Sequence, residues 1–281
     1  MTLSKQKTCS NTIAFVFLCL LSAIFLIPFL LVLLNSCKSR FYISSSPFAM
    51  PNSETFVGFE NYLNGLSSSG FFISFIRSVW VSIASVLVII VCTSMASWFI
   101  VRVKNKFTKA IYFLFAFSMI VPFQMVMYTM TFIVNRISFD NVFGIVFVYL
   151  GFGAGLSVFM FTGFVKAVPL EIEEAAEIDG CNPLQTFFLV VFPILKPTII
   201  TVSILNSMWV WNDYLLPYLI LGTDHKTVPV AIQIAMQGAY GATDYGGFMA
   251  MLVLAIIPIV IFYIASQKYI IKGVISGAVK G

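Results

Sequence analysis

Val168–Pro197 reads VPLEIEEAAEIDGCNPLQTFFLVVFPILKP, the one long polar interruption in a chain that otherwise reads as membrane from end to end. Five of the eleven acidic residues (Glu171, Glu173, Glu174, Glu177 and Asp179) fall within nine positions of it. The pattern predicts two short helices with a corner between them. Pro169 suits a first helical turn, and carboxylates in the early turns meet the positive end of the helix dipole. Gly180 is placed for a left-handed C-terminal cap. Asn182 is placed to cap the next helix, with Pro183 as its first residue, and Pro193 and Pro197 are expected to stop that helix before the chain re-enters the bilayer.

The corner's chemistry suits a protein partner. Ala175 and Ala176 let another surface approach closely, and the carboxylates around them match a groove carrying Arg or Lys. A helix lying on the anionic cytoplasmic leaflet is expected to be basic, and this one is acidic.

The same residues resemble the EAA loop of ABC-importer permeases, in which E-A-A is followed two residues later by D-G and then by an apolar helix with a proline pair. Here the pattern is Glu174-Ala175-Ala176, Asp179-Gly180, Phe187-Phe188, Pro193 and Pro197, with Cys181 where the family often has Ala. The resemblance implies that the loop, residues 166–197, couples the chain to a cytoplasmic ATPase through Glu173, Glu174, Ala175, Ala176, Asp179, Gly180 and Pro193.

Composition supports a polytopic membrane protein. The 281 residues are 60% hydrophobic and only 10% charged, against about 25% charged in a soluble domain. No basic run is interleaved with aromatics, so the net charge of +5 does not point to nucleic acid. Cys9, Cys19, Cys37, Cys92 and Cys181 show no C-x-x-C spacing, and the single histidine, His225, has no partner at ligand spacing, so neither a disulfide framework nor a metal site is expected.

Outward from the corner, apolar runs predict six spans at about 12–34, 71–101, 110–134, 142–165, 198–221 and 246–269. The first is too long for a signal-peptide core and no A-x-A-like site follows it. With the N-terminus inside, Lys5, Lys7, Arg102, Lys104, Lys106, Lys109, Lys166, Lys196, Lys268, Lys272 and Lys280 face the cytoplasm, and Lys38, Arg40, Arg77, Arg136 and Lys226 face out. That excess of basic residues inside obeys the positive-inside rule and puts the acidic corner in the cytoplasm. The fold class is therefore an all-α membrane protein of six transmembrane helices, forming a single domain over 1–281. Both termini are cytoplasmic, and a helix-turn-helix corner lies between spans 4 and 5.

Polar and helix-breaking residues within the spans mark places of interest. Arg77 is expected to snorkel to the outer interface. Pro122 and Gln124 predict a kink in span 3. Glycines 151, 153 and 155 offer close packing in span 4. Span 5 concentrates Asn206, Ser207, Trp209, Trp211, Asn212 and Asp213, where path lining and anchoring at the interface are both open for Asp213. Between spans 5 and 6, VPVAIQIAMQG (228–238) is too short to cross and either dips back or lies along the surface.

Several of these stretches extend the family resemblance. FVGFENYL (56–63), Arg77-Ser78, Ala96-Ser97-Trp98 to Arg102, MIVPFQ (119–124) and Trp211-Asn212-Asp213 to Pro217 are similar to family motifs, some loosely. The tail, with Gln267-Lys268-Tyr269 and a G-A-V-K-G end, resembles the second permease of maltose-type carbohydrate importers. That implies ATPase contacts by Gln267, Lys268, Gly277 and Lys280. It also implies a sugar substrate, an oligosaccharide, with Gln124, Asn206, Trp209, Asn212 and Gln237 as candidate path residues. The implied partners are a second, different permease, two ATPase subunits that bind ATP and Mg, an extracellular solute-binding protein landing on the outer loops (41–70 and 222–245), and membrane lipid. No cofactor is expected in this chain, and the implied location is the bacterial cell membrane.

No G-x-x-x-x-G-K-[ST] phosphate loop occurs, so the chain does not power transport itself, and no H-E-x-x-H or G-x-S-x-G motif suggests an enzyme. The competing class is an ion-coupled secondary carrier. It would want paired buried ionisable groups and inverted repeats, whereas Asp213 is the only deep carboxylate and no second half resembles the first.

Overall fold

A computed structural model describes residues 2–237 and 244–278 of the chain. Among them the backbone is helical or in turns, with one isolated antiparallel bridge between Lys38 and Phe56 and no strand. In chain order the helices are α1 (Thr2–Ser36), α2 (Arg40–Ser45), α3 (Glu60–Ser69), α4 (Phe71–Arg102), α5 (Lys106–Ser118), α6 (Phe123–Arg136) and α7 (Gly144–Val165). There follow α8 (Leu170–Ile178), α9 (Pro183–Ile194), α10 (Lys196–Asn212), α11 (Leu215–Leu221), α12 (Val228–Gln237) and α13 (Tyr245–Ala278). Four stretches are long and apolar enough to cross a membrane: Thr12–Ser36, Phe71–Arg102, Gly144–Val165 and Tyr245–Tyr269. They match expected spans 1, 2, 4 and 6, and two bent helix pairs bring the number to as many as six.

Helix breaks differ from the sequence reading in three places. The expected span 3 is two helices, α5 and α6, meeting at 108°. Pro122 sits extended at the N-cap of α6 (φ −64°, ψ 139°), so the chain breaks outright where a kink was expected. The expected span 5 is also divided. Asp213 is extended (φ −75°, ψ 121°) and ends α10, so α11 begins anew at Leu215. Nor do the prolines stop α9 as expected: Pro193 lies within its last turn, and the 77° bend into α10 comes at Leu195, with Pro197 in the first turn of α10.

The chain forms two compact units. Met1–Phe71 with Ile232–Ile257 makes one. In it Asn61 of α3 is buried and donates to the carbonyls of Ser36 (2.9 Å) and Lys38 (2.8 Å), while Tyr62 meets Ser36 Oγ at 2.7 Å. The amphipathic FENYL piece is thus tied to the end of α1. Apolar side chains of α1 from Ile13 to Leu33 stay exposed, as a helix in contact with lipid requires.

Phe72–Ala231 with Pro258–Gly281 makes the other unit. One of its cores joins Val86 and Ile90 of α4, Phe161 and Val165 of α7, Phe187 and Val191 of α9 and Val202 of α10. A second joins Val81, Tyr149, Val210, Leu216 and Ile220. Gly155 lets α7 approach α5 closely: a Cβ there would lie 2.9 Å from the Phe115 carbonyl and 2.6 Å from Ser118 Oγ. Gly151 faces open space instead and contributes no such contact.

Candidate functional site

The turn at Gly180–Pro183 takes the expected form, and its backbone shows why. Helix α8 closes with Gly180 at φ +88°, the Cys181 amide donating to the Ala176 carbonyl and the Gly180 amide to Glu177, both at 3.0 Å. This is the paired six-to-one and five-to-two closure that a left-handed glycine permits. Asn182 then caps α9: its side chain accepts from the Gln185 amide (2.9 Å), and Gln185 Oε1 accepts from the Asn182 amide (2.8 Å). Pro183 is the first residue of α9, and Pro169 stands one position before α8 rather than within it. Further along, α9 widens into a π-helical stretch over Thr186–Val191, with the Phe192 amide reaching back five residues to Phe187. Pro193 has no amide to offer Leu189, and the widened turn accommodates its ring.

The five carboxylates are not equivalent. Glu171, Glu174, Glu177 and Asp179 are exposed, as are Ala175, Gly180 and Pro193. Ile178 stands 87% exposed at the tip of α8, with Leu184 exposed across the turn. Glu173, expected among the partner-facing acids, is buried instead. Arg102 donates to it from Nε (2.9 Å) and Nη2 (2.5 Å), and Trp98 Nε1 donates to its other oxygen at 2.9 Å. Arg102 Nη2 also reaches the Val168 carbonyl at 3.0 Å. Ala176, one turn on, is buried on the same side, so only Ala175 of the small pair faces outward. Trp98 completes the joint by packing on Phe187, the ring centroids 5.5 Å apart. Trp98 and Arg102 are four residues apart and so share a face at the end of α4. That spacing is visible in the sequence, but their target, 71 residues away, is not.

The expected path residues are not gathered into one site. Asn206 is buried, donating to Ser157 Oγ (3.2 Å) and the Val202 carbonyl (2.9 Å), so it packs α10 on α7. Trp209 is partly exposed and stands edge-on to Tyr149 at 5.3 Å. Asn212 is exposed and bonds back to the Met208 carbonyl at 2.7 Å. Gln124 is exposed in the first turn of α6, and Gln237 ends α12 with its side chain outside the described residues. Asp213, left open between path lining and anchoring, caps α11: Oδ1 accepts the Leu215 amide (3.1 Å), and Oδ2 accepts the Tyr149 hydroxyl (3.1 Å).

Residues 89–276 match the family model of the binding-protein-dependent transport system inner membrane component. The chain belongs to this family. Among curated relatives it is 34% identical over 261 residues to the probable starch degradation products transport system permease protein AmyC of Thermoanaerobacterium thermosulfurigenes, covering 92% of this chain and 93% of that one. It is 35% identical to the multiple sugar-binding transport system permease protein MsmG of Streptococcus mutans (91% and 92% covered). It is 32% identical to the melibiose/raffinose/stachyose import permease protein MelC of Bacillus subtilis (91% of each). The fold is that of a chain in the crystal structure of a bacterial ABC transporter involved in alginate import, with TM-score 0.79, 19% identity, and 94% and 97% of the two chains covered.

The protein is thus a multi-pass, membrane-spanning permease component. Two further features of the permease follow from its contacts. Arg77, expected to snorkel, donates from Nη1 to the Lys226 carbonyl (2.9 Å), and Ser78 Oγ accepts the Val228 amide (2.8 Å). The Arg77-Ser78 pair therefore seats the entry to α12 against α4, and Val228, Val230 and Ala231 are buried there. In the tail, Gln267 and Lys268 are exposed near the end of the α13 span, with Lys268 over the Tyr269 ring. Gly277 lies in the last turns of α13, and Lys280 lies outside the described residues. No group of three or more His, Cys, Asp or Glu that could hold a metal occurs among the described residues.

Proposed function

We propose that this permease is one half of the translocation path of an ATP-driven sugar importer. It pairs with a second, different permease, docks its acidic corner on ATPase subunits that bind ATP and Mg, and receives an oligosaccharide from an extracellular binding protein. The sugar class is supported by the named cargoes of the relatives: starch degradation products, multiple sugars, and the melibiose/raffinose/stachyose series. Both termini and the corner then lie in the cytoplasm, with the tail of α13 as a second ATPase contact.

The observation that carries the reading is the division of labour at the corner. Glu173 is locked to α4 by Arg102 and Trp98, while Glu174, Ala175, Ile178, Asp179 and Leu184 stand free. An apolar tip ringed by carboxylates suits a cleft with an apolar floor and basic walls. A push on that tip passes through the Glu173 joint to α4 rather than being lost in a loose loop. Contacts that differ between the ATP-bound and ATP-free partner would supply the work of switching. The ion-coupled carrier finds no support, because Asp213 is occupied in capping α11 and binding Tyr149.

Co-purification from native membrane in mild detergent, read by mass spectrometry, tests this directly. A second permease and an ATPase are expected in stable ratio with the wild-type chain, and the ATPase is expected to be lost from an Ile178→Asp, Glu174→Arg variant. Recovery of the chain alone, with undiminished uptake in liposomes lacking ATP, would overturn the reading.

A further inference from the structure

The ends of α4 and α7 and the first turns of α5 line an open cavity of about 570 Å³ that the transport reading does not use. Three lysines line it, one from each side: Lys104 after α4, Lys109 in α5 and Lys166 after α7. Asn105, Thr108 and Tyr112 complete its polar wall. The single ion pair among the described residues is Arg102–Glu173, so none of the three lysines has a carboxylate within salt-bridge reach. Lys166 is held toward the cavity by its ammonium lying 5.8 Å from the centre of the Tyr112 ring. The 13-residue helix α5 begins here with no acidic side chain in its first turn, its N-terminus capped by Asn105, whose Oδ1 accepts from the Thr108 amide at 2.8 Å.

Three like charges around one concavity, at the basic start of a helix, favour an anion there. The surroundings say which kind. Phe113, four residues after Lys109 and so one turn along the same helix, begins a face of α5 on which Phe113, Leu114 and Phe117 are exposed. In a membrane-spanning permease such a face suits acyl chains, and the basic cavity lies at its start, beside the ends of the apolar stretches Phe71–Arg102 and Gly144–Val165, where headgroups are expected. A soluble anion would use the lysines and leave the aromatic face unexplained. A phospholipid with a negatively charged headgroup uses both.

We propose that this cavity is a site for an anionic phospholipid, its phosphate held by Lys104, Lys109 and Lys166 and its chains running along α5. The proposal requires only that the chain span a membrane, and it holds whatever solute is carried. Arg102, two residues before Lys104, is not among its ligands, because Glu173 neutralises it.

The test is native mass spectrometry of the permease, purified with whatever subunits accompany it, and titrated with dioleoylphosphatidylglycerol or dioleoylphosphatidylcholine. Wild type is expected to retain phosphatidylglycerol in clear preference to phosphatidylcholine. Single Lys104→Gln, Lys109→Gln and Lys166→Gln variants are expected to bind phosphatidylglycerol roughly fivefold more weakly each, given the usual contribution of one lysine near an anionic lipid surface. The triple Lys→Arg variant keeps the charge and is expected to retain binding, which separates loss of the site from loss of the fold. Equal retention of both lipids, or variants that bind as wild type does, would overturn the proposal. So would displacement of the lipid by glycerol 3-phosphate at comparable concentration, which would mark a site for soluble anions.

Discussion

Arg102 at the end of α4 grips Glu173 in α8 through both Nε and Nη2, closing a distance of 71 residues with a two-pronged ion pair. The side chains are 21% and 5% exposed, so the pair is sheltered without being fully dry. Removing one partner strands the other charge in a partly desolvated place. Glu173→Ala or Arg102→Ala is expected to cost roughly 2–3 kcal/mol, below the range for fully buried pairs because Arg102 keeps some contact with water. The double variant is expected to cost less than the sum of the two, since the stranded charge is gone. Thermal unfolding of the detergent-purified protein measures all three. If the proposed lever is right, Glu173→Gln also lowers transport per ATP hydrolysed more than it lowers ATPase activity.

Gly180 tests the corner without touching its contacts. A Cβ there meets nothing within 4 Å, so any cost of substitution comes from the backbone angle alone. At φ +88° a Val is expected to destabilise the turn by about 1–2 kcal/mol, Ala by about 1, and Asn by less, because Asn tolerates the left-handed region. Uptake is expected to fall in that order. Equal uptake by Gly180→Val and wild type would show that the shape of the corner is immaterial to transport.

Gly151 and Gly155 make a matched pair on α7. At Gly155 a methyl would meet the Phe115 carbonyl, which is backbone and cannot swing away, so Gly155→Ala is expected to cost about 1–3 kcal/mol by overpacking. At Gly151 the same methyl meets open space and is expected to be neutral or to stabilise the helix by up to about 1 kcal/mol. The two melting temperatures should move in opposite directions or by clearly unequal amounts.

These residues also show what the sequence made legible. The corner's turns were readable because glycine, asparagine and proline each have a local conformational reason for their place, and every bond they make lies within a few residues. The inward turn of Glu173 was not readable. Which of five neighbouring acids faces the protein depends on where α4 ends, and no local pattern carries that. Likewise, hydropathy makes Ala110 to Val134 look like one span, because the 108° turn at Pro122 changes direction without changing apolarity. Asn206 and Trp209 look alike as polar candidates on one helix. Only packing against Ser157 on one side and partial exposure on the other separates them.

Asp213 is where the structural and solute-contacting readings make different predictions. Its carboxylate accepts the Leu215 and Leu216 amides at the start of α11 and the hydroxyl of Tyr149, which is itself fully buried. Asp213→Ala removes a helix cap, worth about 1 kcal/mol, and leaves a buried hydroxyl without a partner, which costs about 1–3 kcal/mol more. Tyr149→Phe removes the hydroxyl and its need together, and is expected to cost about 1 kcal/mol or less. If Asp213 serves the fold, Asp213→Ala lowers the melting temperature well beyond Tyr149→Phe, and both variants that reach the membrane keep the wild-type KM for the sugar. A raised KM in Tyr149→Phe, with the melting temperature unchanged, would instead place this pair on the solute's route, next to the exposed edge of Trp209.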